Sequence, residues 1–321
     1  MKKCSVVVPC YNEEETIPIF YDEMQKYIPK MPDLEFEFIF VDDGSTDNTL
    51  HKMKELAGKD KCVKYISFSR NFGKEAGLFA GLEAATGDYI VTMDVDLQDP
   101  PFLLEKMYQA VKEEGYDCAA TMRTDRRGEA PIRSWFARKF YRLINKISNA
   151  DIVDGARDYR FMTRQMVDAV LSMREYNRFT KGIFGWIGFK TKWIPFENVE
   201  RSAGTTKWSF WKLFLYALEG IVAFSTTPLW ISSLLGLFCC FIAVIALILV
   251  VVRAFIYGDP VAGWPSMISV IIFIGGLQMF CMGILGMYVS KLYLEAKQRP
   301  IYITRETNIA QEEAQERKHE E

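Results

Sequence analysis

The tract Asp94-Val95-Asp96-Leu97-Gln98-Asp99-Pro100-Pro101 sets two carboxylates at i and i+2 and an amide two residues further on. From a turn, such oxygens can converge on a hard divalent cation, and carboxylate and amide donors suit Mg2+ or Mn2+. Asp94, Asp96 and Gln98 are therefore candidate metal ligands. The chemistry that calls for this cation is departure of a diphosphate, on which negative charge develops. The competing assignment is a polar turn that caps the next helix, a common use of Asp. A second acidic tract, Asp42-Asp43-Gly44-Ser45-Thr46-Asp47, offers carboxylates to a base N–H or to ribose hydroxyls, and Gly44 allows a sharp turn. It serves equally as a turn and N-cap, and the two roles are compatible. A third, Val8-Pro9-Cys10-Tyr11-Asn12-Glu13-Glu14, reads either as a helix N-terminus or as a contact for a nucleotide base.

Strands must hold these tracts, and the pattern supplies them. The apolar run Cys4–Val8 reads as a strand, Phe36–Val41 as a buried strand, and Val63–Phe68 and Tyr89–Met93 as further strands. Between them, Asn12–Tyr27, Thr49–Gly58 and the small-residue segment Gly73–Ala85 read as helices. Strands alternating with helices predict βαβ units in a mostly parallel sheet, a Rossmann-like α/β fold. Each acidic or polar tract follows a strand, and open α/β sheets bind ligands at the carboxyl ends of their strands. Helices and shorter strands continue over 126–200, including a helix Arg133–Ile147 with Phe136, Phe140, Leu143, Ile144 and Ile147 on one face. Its Arg138, Lys139, Arg142 and Lys146 suit either anionic headgroups or a packed surface helix.

Beyond residue 200 the chain changes character. Thr206–Thr227 is aromatic and amphipathic, with Trp208, Phe210, Trp211 and Phe214, and leads into two uncharged runs, Pro228–Val252 and Trp264–Ser290. At ~1.5 Å per residue each run can cross the roughly 30 Å hydrocarbon core, and core helices are rarely uncharged on every face. Basic residues gather before the first run (Arg201, Lys207, Lys212) and after the second (Lys291, Lys297, Arg299, Arg305), whereas the connector has Arg253 alone. The positive-inside rule then places both termini in the cytoplasm. The expected organisation is a catalytic domain at 1–200, an interfacial segment at 201–227, a two-helix anchor at 228–290 and a charged tail at 291–321, frayed or disordered from Arg305. With 39 basic and 41 acidic residues, the chain lacks a global nucleic-acid footprint. Its seven cysteines form no CxxC pair, which argues for a reducing compartment and against a zinc site. The short apolar run at the N-terminus fits a first strand better than a signal peptide.

In order, Pro9-Cys10-Tyr11-Asn12-Glu13-Glu14, Asp42–Asp47, Arg70-Asn71-Phe72-Gly73-Lys74 and Asp94-Val95-Asp96-Leu97-Gln98 resemble glycosyltransferase family 2, in its dolichol-phosphate-mannose-synthase-like branch. The two C-terminal runs make the chain look like the bactoprenol glucosyltransferase group. The resemblance implies a GT-A fold and an inverting transfer from a UDP-sugar, of glucose or N-acetylglucosamine, to a polyprenyl phosphate. It places Pro9, Tyr11, Asn12, Glu13, Asp42, Asp43, Lys74, Asp94 and Arg123 at the nucleotide-sugar, and Asp94, Asp96 and Gln98 at the metal and diphosphate. It puts Asp158 and Asp96 in the catalytic roles and Arg160, Arg201 and Lys207 at the acceptor phosphate, the last two in an Arg-x-x-Gly-x-x-Lys loop with Gly204. Tyr159 stands where the family usually has Phe. A GDP-mannose-dependent dolichol-phosphate mannose synthase shares these motifs. A non-catalytic membrane scaffold is disfavoured by the intact Asp94, Asp96 and Gln98, a processive synthase by the missing Gln-x-x-Arg-Trp, and a dinucleotide oxidoreductase by the missing GxGxxG. A homo-oligomer is allowed.

Overall fold

The computed structural model describes residues 1–124, 145, 153, 155–197, 221–222, 225–257 and 263–309. Strand β1 (Lys2–Cys10) carries Val6, Val7 and Val8, all fully buried, and pairs in parallel with β2 (Leu34–Asp42) and β4 (Tyr89–Thr92). β2 pairs in parallel with β3 (Val63–Phe68). Burial of both faces explains why these strands read as continuous apolar runs rather than alternating ones. Three more strands extend the sheet, β5 (Cys118–Arg123), β6 (Ala156–Thr163) and β7 (Thr191–Phe196). Among the described residues the sheet has eight strands, the last being β8 (Thr304–Thr307), in the order β7-β5-β6-β4-β1-β2-β3-β8; β6 and β8 run antiparallel to their neighbours.

Helices cover both faces. Helices α1 (Thr16–Gln25), α2 (Thr49–Lys59) and α4 (Leu104–Lys112) bury Ile17, Phe20, Met53, Leu104 and Met107 against one face. The other face takes α3 (Lys74–Ala84), α5 (Arg164–Ser172) and α6 (Thr180–Trp186). The small residues of α3 have a packing reason: a Cβ on Gly81 would lie 2.2 Å from Val7 Cγ1, so the helix rests directly on β1.

Two expectations are revised. Helix α1 begins at Thr16 rather than Asn12, because residues 12–14 are bonded to the loop after β2 instead of to a helix: Asn12 N–H donates to Ser45 Oγ (3.0 Å), Glu13 N–H to Thr49 Oγ1 (2.8 Å) and Glu14 N–H to Asp47 (3.3 Å). The tail is not frayed from Arg305. Thr304–Thr307 forms β8, antiparallel to β3, and continues the catalytic sheet. Tyr302 stacks on Phe68 with centroids 4.9 Å apart, and Asn308 clamps the β3 backbone through Tyr65 N–H (2.7 Å) and Val63 C=O (3.1 Å). Pairing of this kind is invisible to composition, which registered only the charges.

Helices α7 (Thr227–Tyr257) and α8 (Trp264–Ala296) have 31 and 33 residues. Both are long and apolar enough to cross a membrane, and the apolar windows Thr227–Ile245 and Phe273–Ala296 are 0% buried within the protein. At ~1.5 Å per residue α8 exceeds the roughly 30 Å hydrocarbon core. Its last turns instead reach the α/β domain: Glu295 accepts Tyr176 N–H (2.9 Å) and Asn177 N–H (3.2 Å), and Lys291 donates to Asn177 Oδ1 (3.1 Å). The basic helix expected at 133–147 lies outside the described residues, apart from Asn145. So do nearly all of 206–227 and the connector at 258–262.

Candidate active site

The acidic tracts converge at the carboxyl ends of β1, β2 and β4, with the start of antiparallel β6 beside them. Asp42 ends β2 and Asp43 follows it; they are 2% and 4% exposed. Asp42 accepts Ser45 N–H (2.9 Å) and the Ser67 hydroxyl (2.7 Å). Asp43 accepts Phe72 N–H (2.6 Å) and Gly73 N–H (3.0 Å), which ties the Arg70–Lys74 tract to β2. Burial raises the Asp43 carboxyl above its ordinary range, against those two amides. Gly44 makes this approach possible: at φ +66° a Cβ there would lie 2.4 Å from the Arg70 backbone. Both carboxylates thus hold loops. Pro9 is half-buried beside them, while Tyr11 (46% exposed), Asn12 and Glu13 form the outer lip; Asn12 takes φ 56° and its side chain accepts Thr46 N–H (2.9 Å).

Lys74, the first residue of α3, links the centre. Its ammonium is 2.7 Å from Asp94 Oδ1 and 2.7 Å from Asp158 Oδ2. Burial works against that charge, but Asp158 and Asp94 outweigh it and raise the Lys74 pKa. Burial likewise opposes an ionised Asp158, yet Lys74, Lys181 and Arg160 hold its carboxyl below the ordinary range. Residues from β4, α3 and β6 therefore meet as one charged group. Asp96 is half-buried in the turn after β4, and its Oδ1 accepts Gln98 N–H (3.1 Å); Leu97 between them has φ 55°.

Two residues that sequence reasoning passed over complete this turn. Asp99, 0% exposed, accepts Asp94 N–H (3.2 Å) and the Arg157 guanidinium (3.1 Å). Burial and the Asp94 charge raise its carboxyl to about 6 despite Arg157. Arg157 points its Nη2, which has no hydrogen-bond partner, to within 3.9 Å of Asp94. Its place beside Asp158 was the available signal, since neighbours on a strand face opposite sides. Arg123 ends β5, half-buried, with its N–H on Gly155 C=O (3.0 Å). Arg160 is turned elsewhere, 3% exposed between the Phe184 and Trp193 rings. Arg201 and Lys207 lie outside the described residues.

A mostly parallel α/β sheet with carboxylates gathered after β4 and across β6 is the GT-A architecture of a glycosyltransferase. A model of Glycosyl transferase family 2 matches residues 5–171, and the chain belongs to that family. Putative glycosyltransferase CsbB of Bacillus subtilis (strain 168) is 41% identical, over 95% of this chain and 92% of its own length. The prophage bactoprenol glucosyl transferase homolog of Escherichia coli (strain K12) is 44% identical, over 94% and 98%. The bactoprenol glucosyl transferase of Shigella phage SfX is 42% identical, over 94% and 98%. Among solved structures, glucosyl-3-phosphoglycerate synthase from Mycobacterium tuberculosis is 18% identical, with a TM-score of 0.46, over 69% of this chain and 78% of that one.

Proposed function

We propose that this glycosyltransferase moves glucose or N-acetylglucosamine from a UDP-sugar to polyprenyl phosphate at the cytoplasmic face of a membrane, with inversion. The observation that carries the reading is that a Lys74-bridged pair of carboxylates, Asp94 and Asp158, lies in a domain tied through Glu295 to an unburied apolar helix. An acceptor that stays in the bilayer requires this combination. Two relatives named bactoprenol glucosyl transferase or its homolog, at 42% and 44% identity, favour glucose over the mannose alternative.

The donor set fits a catalytic divalent cation. Asp94 and Asp96 are hard oxygen donors two residues apart, and neither is fully buried. Among the described residues no group of three or more His, Cys, Asp or Glu could hold a metal by itself. A cation held by one or two carboxylates takes its remaining ligands from substrate phosphates and water. Asp94, Asp96 and the Gln98 amide would hold it, and the bound ion would offset charge on the leaving diphosphate.

The remaining work falls to side chains. A phosphate monoester is largely dianionic near neutral pH, since its second pKa is about 6. Its oxygen forms the new bond to the anomeric carbon while the bond to the diphosphate breaks, and the electron pair leaves with the nucleotide. No proton has to be removed from the nucleophile. Asp158 fits this economy: a carboxyl held below its ordinary pKa is a poor base but a persistent negative charge, able to stabilise positive charge on the sugar ring. Arg157 is aimed at the Asp94 turn, where it can meet donor phosphate. Purified enzyme given radiolabelled UDP-glucose, Mn2+ and undecaprenyl phosphate in detergent should carry label into the lipid phase. Label transfer from GDP-mannose but from neither UDP-glucose nor UDP-N-acetylglucosamine would reject the UDP-sugar assignment.

A further inference from the structure

On the face of β6 that carries Asp158, Arg160 leads to a second opening. A cavity of about 290 Å3 lies between α6 and the β6–β7 side of the sheet. Arg160 and Lys181 are its only charged lining residues among those described, and Phe184, Phe189 and Trp193 form apolar walls. The Arg160 guanidinium lies 4.2 Å from the Phe184 ring centroid and 5.2 Å from that of Trp193. Ring faces satisfy the plane of a guanidinium but not the donors along its edge. Its Nε is buried without a hydrogen-bond partner among the described residues, a costly state that an acceptor oxygen would relieve. The Lys181 ammonium donates to Ala156 C=O (3.1 Å) and retains further donors. On the same face of β6, the Asp158 carboxylate is already bonded to Lys74. Among the described lining residues the charges are therefore both cations, which suit an anion.

The walls narrow the choice of anion. A free, hydrated ion gains nothing from three aromatic side chains, whereas a phosphate that continues into hydrocarbon buries that hydrocarbon against them. The volume is at the lower end of the roughly 300–1,000 Å3 of small-molecule sites, so it suits a headgroup and the first carbons of a chain rather than a whole lipid. Location agrees. α6 follows the 176–177 turn that Glu295 and Lys291 of the apolar helix α8 hold, and Trp186 at the end of α6 is 55% exposed.

Resting on the reading of the acceptor as a polyprenyl phosphate, we propose that this cavity seats the acceptor's phosphate and first isoprene unit. Arg160 and Lys181 bind the phosphate, and Phe184, Phe189 and Trp193 pack the hydrocarbon. Lys181 thereby joins the acceptor site although no sequence motif marks it, and the phosphate is held beside Asp158.

Steady-state transfer with undecaprenyl phosphate varied, paired with calorimetry of UDP-glucose binding, tests this. Lys181→Gln should raise the acceptor KM about tenfold or more, the cost of one bond to a charged group. Donor affinity should stay within about twofold of wild type, as expected for a residue that touches only the acceptor, and Lys181→Arg should recover most of the loss. An unchanged acceptor KM in Lys181→Gln, with the wild type active, would overturn the cavity while leaving the proposed function intact. A wild type that transfers nothing to undecaprenyl phosphate would overturn the function itself. Two wild-type measurements do not depend on any variant folding. Farnesyl phosphate should compete with the acceptor at least about tenfold better than inorganic phosphate, since it alone can fill the apolar walls; equal potency would make the cavity a free-phosphate site and reject the lipid seat. Farnesyl phosphate should also protect Lys181 from acetylation, read by mass spectrometry, and undiminished labelling would refute the contact.

Discussion

Replacement of Lys74 by Gln isolates the charge that joins the Asp94 and Asp158 carboxylates. The ammonium lies 2.7 Å from an oxygen of each. Coulomb's law at that separation gives between about 1.5 kcal/mol per pair at the permittivity of water and about 6 kcal/mol at an effective value near 20. The Lys74 side chain is 43% exposed, so screening favours the lower bound, about 1–2 kcal/mol per pair. Removal of the lysine takes away the one cation among the described residues that touches both Asp94 and Asp158, leaving Asp94 to Arg157 at 3.9 Å and Asp158 to the weaker influence of Lys181 and Arg160. A divalent cation at Asp94 would then no longer compete with the ammonium, and its Kd should tighten about tenfold, the equivalent of 1.4 kcal/mol. Without the cation, in EDTA, the variant should be less stable than wild type by about 1–3 kcal/mol. The sign with pH follows from Asp158. Its folded pKa is depressed below the ordinary 3.8, so its contribution to stability is full above that value and is lost as pH falls through the folded pKa. The stability gap between wild type and variant should therefore be widest near neutrality and narrow below about pH 4. Mn2+ binding by electron paramagnetic resonance and urea melts in detergent at two pH values measure both effects. A variant that binds Mn2+ as wild type does, or more weakly, would refute the competition. A gap that widens in acid would refute the role assigned to Asp158.

Three further outcomes are expected. Asp96→Asn should reduce transfer by two orders of magnitude or more with an unchanged melting profile, because a charged ligand for the cation is lost while the turn is kept; near wild-type turnover in Mg2+ or Mn2+ would remove Asp96 from the metal site. Truncation after Pro300 removes β8 and the Tyr302–Phe68 stack and should cost about 2 kcal/mol or more. It should also speed amide exchange in β3, and unchanged β3 protection would show that the edge strand is dispensable. Single cysteines placed within Gly258–Gly263 should react with an impermeant maleimide on intact cells while Cys62, exposed in the catalytic domain, should not; the reverse pattern would invert the proposed topology.

Much of the framework was legible because it is encoded locally. Val6–Val8 and Phe38–Val41 are apolar over consecutive residues, as buried parallel strands tend to be, and the polar tracts begin close to where those runs stop. The two uncharged runs after residue 227 likewise announce their length and lack of charge without reference to any other segment. The start of α1 was misplaced because residues 12–14 bond to 45–49, more than thirty positions away. β8 was missed because an edge strand of four residues takes its identity from its partner β3.

The same division runs through the active site. By itself the sequence singled out residues that could do chemistry: Asp94, Asp96 and Gln98 carry oxygens in a tract that follows a strand, whereas Asp158 came only with the resemblance to the family. Only the tertiary structure decided their partners. It set Lys74 between Asp94 and Asp158, committed Asp42 and Asp43 to holding loops, buried Asp99 against Arg157, and turned Arg160 away from the Asp94–Gln98 turn into an aromatic cavity with Lys181. The reason is geometric. A strand sends alternate side chains to opposite faces, so Asp158 and Arg160 share one side of β6 while Arg157 serves the other, and what each meets there is set by helices and strands that lie far away along the chain.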